Sequence, residues 1–234
     1  MRPLVVTLAF AATVAGCSST PSGPDAGAAL TIYGAGSAAP SGVAPQTGGS
    51  PDDAIFGGAS SVTIRLYALY ISPNADCSAP VLVQQLPAAG TDKDFMQNPV
   101  LFQGTPATGS YQCVMFKMSD VLKMKPSTSF GACVAGVEYS GDIYREGESD
   151  WKDVDLNTVV GTGTDEVPAD DHVTIFMSTD PAAALARGIS EHQMVTLLSP
   201  MIVPGQNTFV MDASHAVMSS GSNCGLEKIE PSFH

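Results

Sequence analysis

Positive charge is scarce in this chain. Its 234 residues carry 10 Lys and Arg against 23 Asp and Glu, a formal net charge of −13 at neutral pH. Binding to nucleic acid draws on a basic patch that displaces counterions from phosphate, and electrostatic adhesion to anionic lipid head groups needs one too. The balance argues against both. The acids are scattered and only 14% of residues are charged, so their first effect is to keep the chain dispersed in water. Long apolar runs are also missing. The longest, near the N-terminus from Leu4 to Ala12, falls well short of the ~20 apolar residues of a membrane-spanning helix. The sequence lacks Cys-x-x-Cys, His-x-His and His-Glu-x-x-His spacings, which disfavours the common zinc frameworks. It lacks the Gly-x-Ser-x-Gly of a nucleophile elbow. Stretches with helical periodicity are few.

What is present begins at the N-terminus. Arg2, the apolar run Leu4–Ala12 and the small residues Ala15 and Gly16 follow the charged, apolar, small-residue order of a secretion signal. The tetrad Val14-Ala15-Gly16-Cys17 resembles a bacterial lipobox. That resemblance implies cleavage before Cys17 and acylation of its thiol and new amino group. Three acyl chains are then expected, and two or more suffice for permanent anchoring. Ser18 stands where the inner-membrane retention signal of such lipoproteins places Asp, which implies the outer membrane. Loss of residues 1–16 removes Arg2 and no acid, so the net charge moves from −13 to −14.

With Cys17 lipidated, Cys77, Cys113, Cys133 and Cys224 remain. An even set in an exported chain reads as two disulfides, with three pairings open. Whichever bond uses Cys224 ties down the C-terminal part and closes a long loop.

Composition divides the chain into a signal (1–16), a Ser/Gly/Ala/Pro-rich tether (17–58) and one folded domain (59–234). About 40 tether residues would reach roughly 35–40 Å as a flexible coil. Within the tether, only Leu30-Thr31-Ile32-Tyr33 has the character of an edge strand. In the domain, alternation predicts strands over Val62–Ile71, Val81–Leu86, Val100–Phe102, Ser110–Met118, Val134–Tyr139, Trp151–Val160 and His172–Ser178. In the first of these, Val62, Ile64, Leu66, Ala68 and Tyr70 are expected on one face. Met201–Val203 and Asn207–Asp212, flanking Pro204-Gly205-Gln206, read as a hairpin. Thr179-Asp180-Pro181 followed by Ala182–Arg187 and Gly188 reads as a short capped helix, and Ser190-x-x-Gln193 as a capping box opening another turn. The expected fold is all-β, an antiparallel β-sandwich of immunoglobulin or transthyretin type with one or two short helices.

Five constellations contain residue types that can carry chemistry. Asp153, Asp155 and Asn157 have the first three ligand spacings of a calcium loop, but Thr158 stands where Gly is needed and Thr164 where Glu is needed. A different oxygen-lined Ca²⁺ site could draw on these residues with Asp165, Glu166, Asp170 or Asp171; a solvated acidic segment is the simpler reading. Asp212, Ser214 and His215 contain the residue types of a hydrolytic triad, without the geometry that sequence proximity cannot supply. Met115, Met118 and Met124 are better core fillers than soft-metal ligands. His172, His192, His215 and His234 show no ligand spacing. Trp151, Tyr67, Tyr70, Tyr139 and Tyr144 would line a glycan or peptide groove only if exposed on one patch.

The segments SVTIRLYALYISPNADCSAPVLV, GSYQCVMFKMSDVLK and TDPAAALARGIS, with the ending SNCGLEK, resemble uncharacterised bacterial lipoproteins whose function is not assigned. The likeness covers most of the chain after residue 60 and carries no catalytic motif. The sequence therefore points to a lipid-anchored envelope protein, a non-enzymatic binding or structural module without cofactor. Its membrane contact is through the anchor, it binds no nucleic acid, and its protein or glycan partner is unspecified. A calcium- or carbohydrate-dependent adhesion domain and an exported hydrolase are the alternatives.

Overall fold

The computed structural model describes residues 29–37, 46–47, 55–143, 151–157, 172–226 and 230–233. The signal segment 1–16, Cys17, Tyr144 and residues 158–171, with Asp165, Glu166, Asp170 and Asp171, lie outside them. In chain order the strands are β1 (Leu30–Ser37), β2 (Gln46–Thr47), β3 (Ile55–Gly57), β4 (Ala59–Ser72), β5 (Val81–Gln85), β6 (Thr91–Asp94), β7 (Val100–Gly104), β8 (Gly109–Tyr111) and β9 (Cys113–Pro126). They continue with β10 (Tyr139–Asp142), β11 (His172–Ser178), β12 (Met194–Thr196), β13 (Met201–Val203), β14 (Gly205–Asp212), β15 (Val217–Ser220), β16 (Asn223–Leu226) and β17 (Glu230–Phe233). A helix, α1 (Pro181–Ala186), follows β11.

Two sheets enclose the main core. One runs β17-β14-β1-β7; the larger runs β12-β11-β9-β4-β5, with β10 added beside β9 and β6 beside β4. The fold is all-β and sandwich-like. Most pairings are antiparallel, but β1–β14 and β11–β12 are parallel. A β8–β13 ribbon sits where β7 passes into β9 and β13 into β14. The sheet β16-β15-β3-β2 lies at the other end, beside the start of β4 and the end of β14.

Aromatic contacts join the two sheets. Phe116 of β9 packs on Phe102 of β7 and Phe209 of β14, with ring centroids 5.2 and 5.0 Å apart, and Phe209 in turn meets Phe95 at 5.8 Å. Leu30, Ile32, Val62, Leu66, Leu69 and Met124 fill the same core. The opposite face of the larger sheet is covered as well. Cys77, Cys113, Met115, Val154, Phe176, Ala184 and Ile189 form a second, smaller core beneath α1. Strands covered on both faces have no polar side to show, which is why β9 reads apolar on both faces.

Several expectations need correction. The 17–58 segment is not all tether. Leu30–Ser37 is a central strand paired on both sides, to β14 and β7, and Leu30 and Ile32 are buried. Its glycines serve packing. A Cβ on Gly34 would stand 3.0 Å from both Leu101 and Phe95, so only glycine lets those side chains close over the strand. Gln46–Thr47 and Ile55–Gly57 are strands too.

In β4 the predicted face holds only to Leu66. Register shifts at Ile64/Leu66 and Leu66/Ala68 rephase the strand, so Leu69 and Ile71 join Val62, Ile64 and Leu66 in the main core, while Tyr70 packs against the smaller one. Ser110–Met118 is two strands, β8 and β9, in different sheets. Val134–Val137 is a turn, closed by Val137 N–H on the Val134 carbonyl with Gly136 at φ +73°; the strand starts at Tyr139. Turn geometry overrides the β-branched residues there. Within Trp151–Val160, residues 153–157 form a turn with Leu156 at φ +63°.

The expected hairpin at 201–212 is absent. β13 pairs with β8 and β14 with β1 and β17. One residue, Pro204, separates β13 from β14, fewer than the two a tight hairpin requires. By contrast, His172–Ser178 and the capped helix stand as expected: the Asp180 carboxylate accepts from Ala183 N–H, Pro181 opens the helix, and Gly188 at φ +97° follows it.

Candidate functional site

The four domain cysteines form two bonds. Cys77 pairs with Cys113 and Cys133 with Cys224, with sequence separations of 36 and 91. The first pins the 73–80 loop to the start of β9 and is completely buried in the smaller core. The second joins β16 to the 130–133 turn, which is itself closed by paired backbone bonds between Phe130 and Cys133. Two disulfides fit an exported protein. Among the described residues no helix is long and apolar enough to cross a membrane.

The acidic loop spends its carboxylate on its own backbone. Asp153 Oδ1 accepts from the N–H groups of Asp155 (3.0 Å) and Asn157 (2.9 Å), while Asp153 N–H donates to the Asn157 carbonyl (2.9 Å). This is an Asx turn, which explains the Asp-x-Asp-x-Asn spacing without a ligand. Asp155 and Asn157 are exposed. Among the described residues no three His, Cys, Asp or Glu side chains converge as a metal site.

Ser214 and His215 sit in the turn between β14 and β15, with Ser214 Oγ 3.0 Å from His215 Nδ1. The contact joins neighbours in sequence, His215 is exposed, and the side chain of Asp212 lies outside what is described. Met115, Met118 and Met124 are all buried, the first in the smaller core and the others in the main one. Trp151 and Tyr67 are buried. The half-buried Tyr139 accepts from Val134 N–H and donates to the Ala132 carbonyl. Tyr70 is half-buried against the smaller core. These aromatics are packing elements spread over several regions, not one exposed strip.

Two features escaped the sequence reading. The first is Gln193, fully buried. Its amide accepts from Lys152 N–H (2.6 Å) and donates to the carbonyls of Lys152 (2.6 Å) and Thr174 (2.7 Å). It thus acts as a strand partner for the 151–157 segment, not as the return half of a capping box. Ser190 still caps, accepting from His192 N–H at 3.4 Å.

The second is a small depression on the large sheet, lined by Thr63, Arg65, Asp92, Ser119, Val121 and Lys123. Arg65 donates to both oxygens of Asp92, at 2.6 and 3.2 Å. This holds the Asp92 carboxyl below its ordinary range and raises the guanidinium. Beside it the Tyr67 ring stands 3.9 Å from that of His172, and burial, offset by Arg65 and reinforced by Asp92 and the buried Asp120, pushes the Tyr67 hydroxyl upward. A tyrosine shifted in that direction stays protonated near neutral pH and is a poor base.

The Asp92 shift has a consequence for stability. Its folded-state pKa is depressed, so its contribution is present above the ordinary Asp range and lost as pH falls through the lower folded value. Asp76, held down by the Ser78 hydroxyl and N–H, acts in the same direction. The Arg65–Asp92 pair is partly exposed and, screened by solvent, worth at most about 1 kcal/mol. Asp92→Asn is expected to cost no more than that and to flatten the loss of stability below about pH 4. Urea midpoints from pH 7 to 3 measure both effects, and an unchanged acid slope counts against the pair.

Comparison of the chain with protein-family models, with curated proteins and with solved structures finds no match. Fold and covalent chemistry define it instead: an all-β, sandwich-like domain carrying two disulfides.

Proposed function

We propose that the protein is a lipid-anchored, non-enzymatic module of the bacterial cell envelope, tethered through acylated Cys17. One observation carries this reading. The N-terminal segment ends in Val14-Ala15-Gly16-Cys17, while the other four cysteines pair off among themselves within the domain. Cys17 is thus the one thiol left for acylation, in a chain whose disulfides suit an oxidising compartment. Ser18 supports the outer membrane as destination. The non-enzymatic assignment is supported by the fate of the candidate groups: Asp153 closes its own turn, Ser214 and His215 meet as sequence neighbours, and the methionines and Trp151 are packing.

Cys17→Ser tests the anchor. The variant is expected to leave the detergent-extracted membrane fraction and to keep both disulfides. Wild-type protein recovered in the soluble fraction with reduced thiols would contradict the assignment.

A further inference from the structure

The structure places exposed apolar side chains beside the start of β1, where the N-terminal chain enters the fold. Leu30 is paired to Gly104 on one side and Gly205 on the other. Gly104 carries Val83 of β5 over it: a Cβ there would stand 2.5 Å from the Val83 side chain. Val81 and Leu82, the preceding residues of that edge strand, are each 48% exposed. On the other side, the Ile202 carbonyl lies 2.7 Å from where a Cβ of Gly205 would be, and the Ile202 side chain is 52% exposed. Leu198 is 69% exposed, next to Leu197, whose N–H bonds the last residue of β11. Leu30 therefore enters between two apolar projections.

The segments that build this region carry no charged residue of their own. In a chain of net charge −13, residues 77–91, 95–116 and 193–211 contain no Asp, Glu, Lys or Arg. These segments build β5, β7, β8, β13 and most of β14. Asp76 and Arg187 lie together on the α1 side, with Arg187 Nη1 3.4 Å from the Asp76 carbonyl, and the one cation that reaches across these segments is Lys93, whose ammonium donates to the Val100 carbonyl of β7 at 2.6 Å.

We infer that this end of the domain, with Val81, Leu82, Leu198 and Ile202, rests on the lipid surface to which Cys17 is anchored. The inference depends on the reading of Cys17 given above. Chain length selects the end. Between Cys17 and Leu30 the backbone spans at most about 45 Å, whatever its conformation. Leu30 lies level with the Leu69–Tyr70 part of β4, through Gly104 and Val83. The opposite end, at Ala59, is about ten strand residues or roughly 35 Å farther away. Turning that end to the lipid would draw out most of the available chain. The Leu30 end reaches the surface without extension, and its lack of acids avoids repulsion from anionic head groups. Exposed apolar side chains gain by entering the interface.

The test uses the full acylated protein in vesicles of phosphatidylcholine and phosphatidylglycerol that carry a diazirine lipid. Photolabelled peptides are mapped by mass spectrometry, and the mass of the N-terminal peptide reports acylation separately. Labelling in 81–83 and 198–203 is expected to exceed that at Val134 and Val137, exposed apolar residues of the 134–137 turn, several-fold. Equal labelling of the two regions on acylated protein overturns the inference and leaves the anchor standing. So does protection of 81–83 and 198–203 that grows with protein density, which would mark contact with a second copy. An N-terminal peptide without acyl mass removes the anchor, and the apposition falls with it.

Discussion

Cys133→Ala combined with Cys224→Ala is expected to lower the stability of the domain by about 4.5 kcal/mol, the chain-entropy value for a loop of this length. The two residues are 91 apart in sequence, and their bond joins β16 to the turn that follows β9. The small sheet made by β16, β15, β3 and β2 has little core of its own. It relies on this bond and on Phe130, whose ring occupies the space a Cβ on Gly57 would need. Removing the Cys77–Cys113 bond, which closes a shorter loop of separation 36, carries an entropic cost nearer 4 kcal/mol. Urea unfolding in non-reducing buffer measures both losses. A Cys133/Cys224 variant as stable as the wild type would show that this pairing does not hold the domain together.

Phe116→Ala is expected to cost about 3–5 kcal/mol, the range for deleting a large buried aromatic side chain. Phe116 is 2% exposed and touches Phe102 and Phe209, which belong to the facing sheet. Truncation leaves a cavity at the junction of the layers and removes two aromatic contacts at once. Phe116→Leu restores most of the volume and should cost much less. Val134→Ala, at a side chain half in solvent, should change stability by no more than about 0.5 kcal/mol. A midpoint for Phe116→Ala equal to that of Val134→Ala would mean that the two sheets are not joined through this ring.

The parts of the fold visible in sequence are those where one local rule acts alone. His172–Ser178 alternates cleanly, and Asp180-Pro181 with Gly188 brackets α1 by chain-end chemistry. The pattern of β4 marks a strand but not which way its residues face. Its bulges change phase, and because both faces are covered, the apolar pattern does not reveal the change. β6 has no strand signature, because Thr91-Asp92-Lys93-Asp94 has three charged residues of four. It forms through pairing with β4, where Arg65 meets Asp92 and Ser61 donates to Asp94. β1 resembles a linker because Gly34, which lets Leu101 and Phe95 close over it, and Gly36, which faces Met96, are also linker residues.

The functional reading divides in the same way. The proposed export signal and the four-cysteine set are read from local order and parity. The disulfide partners are not, since the choice among three pairings is made by strand placement. Gln193 illustrates the remaining gap. The Ser-x-x-Gln spacing has a familiar local meaning, yet its amide serves Lys152 and Thr174 from across the fold. The three segments without charged residues stand in the sequence, but only the register brings 77–91, 95–116 and 193–211 together around Leu30.

The most direct test of the lipid anchor is the mass of the protein isolated from its native host. The account predicts a mature chain that begins at a tri-acylated Cys17, lacks residues 1–16, partitions with membranes and shows no free thiol before reduction. A chain that retains residues 1–16, carries an unmodified Cys17 and leaves the other four cysteines reduced would contradict it.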